Sequence, residues 1–117
     1  MHSAPYMQLK SYDKKGITII EIEGRLDAGN YSLLKNNFRE LAANQNNFVI
    51  DLSKMDSIDS TGLGCIVKCL DTASKAKGDV KLSGLKDKPR MLFEMTRAYK
   101  IFDIFEDLDT AVDSFTQ

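Results

Sequence analysis

The chain has little of what most enzymes, membrane proteins and nucleic-acid binders need. Among its 117 residues there is one histidine, His2, and there are only two cysteines, Cys65 and Cys69. A serine or cysteine hydrolase needs a base beside its nucleophile, and neither Gly-x-Ser-x-Gly nor a phosphate-cradling Gly-x-x-x-x-Gly-Lys-Ser/Thr occurs. The two cysteines stand four residues apart in one predicted helix, a spacing that resists disulfide geometry and leaves too few ligands for zinc. Enzymatic activity, a metal site and a bound cofactor are therefore not expected. No apolar run reaches about 18 residues, and the N-terminus lacks a charged segment followed by an apolar one, so neither a membrane span nor a signal peptide is expected. A cytoplasmic location follows as the expectation. With a net charge of -1 and no basic stripe, direct DNA binding is disfavoured.

What is present is one domain's worth of alternating apolar patterns. Residues 1–6 read as a flexible leader, loosest over Met1–Pro5, ahead of a domain spanning 7–117. Tyr6 to Asp13 fits an edge strand, and Lys14-Lys15-Gly16 a turn. Ile17 to Glu23 fits a second strand with Ile20 and Ile22 inward, the two pairing as an antiparallel hairpin. Asp27 or Asn30 can cap a helix running to about Ala43, with Leu33, Leu34, Phe38, Leu41 and Ala42 inward and Lys35, Asn36, Arg39 and Glu40 in water. Phe48–Leu52 is a short buried strand, and Ser53–Ile58 a polar connection. A helix follows to Lys77-Gly78, then a short parallel strand over Val80–Ser83. Pro89 opens a third helix through Thr96 with Met91, Leu92 and Met95 inward; Phe93 and Met95 are read as core ahead of interface. Ile101–Phe105 gives an edge strand and Leu108–Phe115 a last helix. Strands joined through helices imply an α/β fold: a small mixed sheet of four or five strands, with helices packed mainly on one face.

The stretch Asp59-Ser60-Thr61-Gly62-Leu63-Gly64 carries the chemistry. Ser60 is placed as the N-cap of the helix whose stripe is Leu63, Ile66, Val67, Leu70 and Ala73 or Ser74. Free backbone N–H groups and the helix dipole at that end favour a negative charge, so a phosphate suits the position. On these residues alone a plain capping serine is the first reading, because capping serines are common. Gly62 and Gly64 cost about 1 kcal/mol of helix propensity each, which calls for either tight packing or close approach by a second macromolecule. The face bearing Thr61, Cys65, Lys68, Cys69 and Thr72 reads as exposed and unusually apolar, which suits a protein partner. Asp59 either orients the Ser60 hydroxyl or holds the loop through backbone amides, and Asp27 is an N-cap or a loop acid.

Val49-Ile50-Asp51-Leu52 followed by Met55-Asp56-Ser57-Ile58 and the hexapeptide at 59–64 resembles the signature of the STAS domain, in particular of bacterial anti-sigma factor antagonists. Gly24-Arg25-Leu26-Asp27 and Arg90–Thr96 with Ile101–Ile104 are similar to further parts of that pattern. The resemblance implies that Ser60 is phosphorylated by an anti-sigma factor serine kinase and reset by a metal-dependent serine phosphatase. The resemblance makes Asp59 part of the recognition motif and Asp27 a loop acid near it; with the exposed helix face, Asp27, Asp59, Ser60, Thr61, Gly62, Gly64, Cys65, Lys68 and Cys69 are the expected partner-binding face. Two alternatives stay open: a STAS scaffold or adaptor subunit in a transport, secretion or stress-signalling complex, and a receiver-like phosphoacceptor using Asp51 at a strand end.

Overall fold

The computed structural model describes residues 6–116. Of the leader expected over residues 1–6, residues 1–5, His2 included, lie outside them. Tyr6 is fastened to the sheet: its carbonyl accepts from Arg25 N at 2.8 Å and its hydroxyl donates to Glu23 at 3.0 Å.

The elements are β1 (Met7–Lys14), β2 (Ile17–Leu26), α1 (Tyr31–Ala42), β3 (Asn47–Ile58), α2 (Ser60–Lys75), β4 (Asp79–Ser83), α3 (Asp87–Met95), β5 (Ile104–Phe105) and α4 (Leu108–Asp113). Short 3₁₀ turns occupy Ala98–Lys100 and Ser114–Thr116. The five strands lie in sequence order, β1-β2-β3-β4-β5. Only the β1–β2 hairpin is antiparallel, and the other neighbours are parallel because a helix or a longer connection carries the chain back each time.

Period-two alternation in the central strands divides the core in two. Ile20, Ile22, Phe48, Ile50, Leu52, Val80 and Leu82 face one side and meet Leu34 and Phe38 of α1, Leu63, Ile66 and Ala73 of α2, and Phe93 of α3. Ile17, Ile19 and Val49 face the other side, where Ala111 and Val112 of α4 cover them. The longer helices thus share one face, and α4 alone closes the second.

Several local expectations are corrected. β3 does not stop at Leu52. Ser53–Ile58 remains strand because β2 extends to Leu26 and offers backbone partners, with register shifts between Glu21 and Glu23 and between Gly24 and Arg25 that turn Met55 into the core. In α1, Leu33 points outward and is 54% exposed, while Leu34 and Phe38 hold the interior, Phe38 with its ring 4.5 Å from that of Phe48. In α3 the inward positions are Pro89 and Phe93, with Leu92 half-buried. Met91 and Met95 are 60% and 78% exposed. Phe93 sets this phase by packing edge-on to Phe102 at 6.2 Å.

Candidate functional site

The site forms where β3 hands over to α2. The N-cap of α2 is Asp59, one residue earlier than expected, in extended conformation at φ -109° and ψ -178°. Its Oδ1 accepts from Gly62 N at 2.8 Å, satisfying one of the orphan donors of the first turn. Its Oδ2 accepts from Ala28 N at 3.0 Å, in the loop between β2 and α1. The Asp59 backbone N–H donates to Leu26 O at 3.2 Å. One carboxylate therefore joins two loops far apart in sequence, and both oxygens are spent on backbone amides. Asp59 holds the loops and leaves the Ser60 hydroxyl alone.

The β2–α1 loop has its own lacing. Asp27 Oδ1 accepts from Gly29 N at 2.9 Å, and Asp27 N donates to Asn30 Oδ1 at 2.9 Å. Asn30 Nδ2 donates to Arg25 O at 2.8 Å. Neither side chain caps α1, contrary to expectation: Asn30 occupies the cap position without a capping bond, because its amide is used inside the loop.

Ser60 is the first helical residue and is exposed. Among the described residues its hydroxyl has no hydrogen-bond partner, since Asp59 has taken over the capping. Thr61, Gly64 and Lys68 are exposed on the following turns. Gly62 is buried: a Cβ there would lie 2.6 Å from Leu26 O and 2.8 Å from Leu26 Cγ, so its missing side chain serves internal packing and not a partner. A Cβ at Gly64 would meet nothing within 4 Å.

The cysteines are the main correction. Cys65 and Cys69 are 8% and 3% exposed, covered by α1, with Cys65 Sγ 3.7 Å from Tyr31 O. The buried positions of α2 are Gly62, Leu63, Cys65, Ile66, Cys69 and Ala73. At 100° per residue the true inward face is rotated by about a quarter turn from the expected one. Val67 and Leu70 are only half-buried, and Ser74 is exposed. A hydrogen bond shared with Cys65, and then burial, push the Cys69 thiol far above its ordinary range, leaving it a neutral packing residue.

Other acids are placed elsewhere. Asp51 lies inside β3, buried, its Oδ1 accepting from Ser53 N at 3.0 Å; it does not end a strand as a receiver-like site requires. Asp56 pairs with Lys86 at 3.2 Å. Among the described residues no group of three or more His, Cys, Asp or Glu side chains could hold a metal ion, and no helix is long and apolar enough to cross a membrane.

Sequence reasoning missed the contribution of α1. Tyr31, Lys35, Phe38 and Arg39 line a groove of about 640 Å³ against Thr61, Gly64, Cys65, Lys68, Cys69 and Thr72 of α2. Lys35 and Arg39 had read only as a solvated face, and nothing in their spacing marks a groove. Ala28, whose backbone N–H donates to Asp59, also left no signal, because a backbone donor has no residue signature.

The family model for the STAS domain matches residues 8–111. The anti-sigma-B factor antagonist of Bacillus subtilis is 31% identical over 85 residues, which is 73% of this chain and 78% of that protein. An anti-sigma factor antagonist from Mycobacterium paratuberculosis superimposes with a TM-score of 0.88 at 22% identity, covering 99% of this chain and all of that one. The Bacillus cell fate determinant SpoIIAA in its phosphorylated form superimposes with a TM-score of 0.72 at 14% identity, covering 94% of this chain and 99% of that one. Family model, sequence relative and fold thus agree, and the chain belongs to the STAS-domain family of anti-sigma factor antagonists.

Proposed function

We propose that this protein is the phosphorylatable member of a partner-switching pair. Unmodified, the surface around Ser60 binds an anti-sigma factor serine kinase and so frees the factor that kinase restrains. The kinase transfers the γ-phosphoryl group of ATP to the Ser60 hydroxyl, and a metal-dependent serine phosphatase removes it. The observation that carries this reading is the Ser60 hydroxyl itself, exposed at the mouth of α2 and free of internal bonds because Asp59 does the capping. The existence of a phosphorylated form of SpoIIAA, a protein of the same fold, supports it.

The contact surface consists of the exposed residues of the motif, Ser60, Thr61, Gly64 and Lys68, together with the half-buried Asp27 and Asp59 beside them. Cys65, Cys69 and Gly62 support it from beneath. Phosphorylation adds about -1.5 to -2 charges to a surface shaped for a neutral hydroxyl. A hundredfold loss of affinity requires about 2.7 kcal/mol. Desolvation of an unpaired phosphate in a fitted interface, with repulsion by acidic groups of the partner, readily supplies that much.

Titration calorimetry against the cognate kinase tests the proposal. Ser60→Ala should bind with the affinity of the unmodified chain whether or not ATP and magnesium are present. Ser60→Asp should bind at least tenfold more weakly. Equal binding by the two variants overturns the reading, and capture of a transporter ATPase in place of a kinase would favour the scaffold alternative.

A further inference from the structure

The groove between α1 and α2 shares Thr61, Gly64 and Lys68 with the proposed contact surface, but its α1 wall, Tyr31 to Ala43, is not used by the switching reading. Its floor is apolar, made by Phe38, Cys65 and Cys69, and the small residues Ala42 and Gly64 also line it. Lys35, Arg39 and Lys68 line it, and no acidic residue does. Among the described residues, none of these cations forms an ion pair. In a chain with 16 basic and 17 acidic residues, a groove that gathers cations and no acids is a local departure from the balanced surface.

Size and shape narrow the occupant. A volume of about 640 Å³ lies within the range of about 300–1,000 Å³ usual for small-molecule sites. The lining runs from Tyr31 to Ala43 along α1 and from Thr61 to Thr72 along α2, so at 1.5 Å per residue the groove is roughly 16–18 Å long. A long apolar floor with a cationic rim complements a long apolar body carrying one anionic group. The geometry points to a binding site for a free single-chain fatty carboxylate, with its chain over Phe38, Cys65 and Cys69 and its head among Lys35, Arg39 and Lys68.

The test needs no kinase and no phosphate on Ser60, so its failure and that of the switching proposal are separable. Amide resonances are followed by NMR while the unmodified chain is titrated with decanoate below its micelle concentration, and separately with decanol. Saturable shifts confined to residues 31–43 and 61–72, with decanol at least tenfold weaker, are expected. Combined Lys35→Glu, Arg39→Glu and Lys68→Glu substitution should weaken decanoate at least tenfold. Thr72→Trp, which fills the end of the groove far from Ser60, should weaken both probes. Shifts scattered over the exposed Met91, Met95, Tyr99 and Ile101 corner, equal binding of decanoate and decanol, or no saturable shift overturns the inference. So does sedimentation with anionic phosphatidylglycerol vesicles unaccompanied by decanoate binding, which would make the source a membrane. Should a variant fail to fold, the decanoate–decanol comparison on the unmodified chain still decides.

Discussion

A Cβ added at Gly62 would press on the carbonyl oxygen of Leu26, and backbone cannot swing aside as a flexible side chain can. Gly62→Ala should therefore destabilise the domain by about 1–3 kcal/mol, overriding alanine's better helix propensity. Gly64→Ala has open space and a helical backbone, and should stabilise by about 0.4–1 kcal/mol. Urea denaturation of the two variants measures both; a Gly62→Ala protein as stable as the parent would show that Leu26 yields. The motif at 59–64 could be read as a helix mouth from its residue types alone. The division of labour within it could not: Asp and Ser are both good N-caps, and only the position of Ala28 N, brought in by the fold, gives Asp59 a second bond and leaves Ser60 free.

The hairpin, the parallel strands and the helices could be placed from alternation and turn residues, but helix phase was the weak point. In α3 the methionines at 91 and 95 compete with Phe93 for the interior, and one-dimensional periodicity cannot see Phe102 waiting on the far side. Phe93→Ala should cost about 3–5 kcal/mol. Met95→Gln should change stability by less than about 0.5 kcal/mol, since that side chain is already in water. Matched thermal or urea melts check the pair. In α2 the misplaced phase has the same origin: small thiols read as surface until a second helix is laid over them. At the other end of the chain, Asp107 caps α4 by accepting from Thr110 N at 2.8 Å, and that bond lowers its pKa from the ordinary 3.8. A depressed carboxylate pKa adds stability above its unfolded value and loses it as the pH falls through the folded one. The Thr110 amide resonance should therefore titrate with a midpoint below 3.8, and Asp107→Asn should abolish that titration.

On the scale of the whole molecule, the α/β architecture with its mixed sheet was legible because the connections between β2 and β5 are long enough to force parallel pairing. The bulges that prolong β3 were not, since they depend on what β2 offers opposite Lys54–Ile58. The phosphate proposed for Ser60 would stand at the surface, at the positive end of α2, where it would strain no buried contact. Phosphorylated and unmodified protein should accordingly melt within a few degrees of one another, with amide shifts limited to the start of α2 and the β2–α1 loop, even where kinase affinity falls a hundredfold. A large drop in melting temperature would instead mean that the modification works by unfolding the domain. The Asp59–Ala28 bond gives this local change its reach. It pins two stretches of chain 31 residues apart like the rivet of a pair of scissors, so a docking protein that grips both loops meets them as one surface.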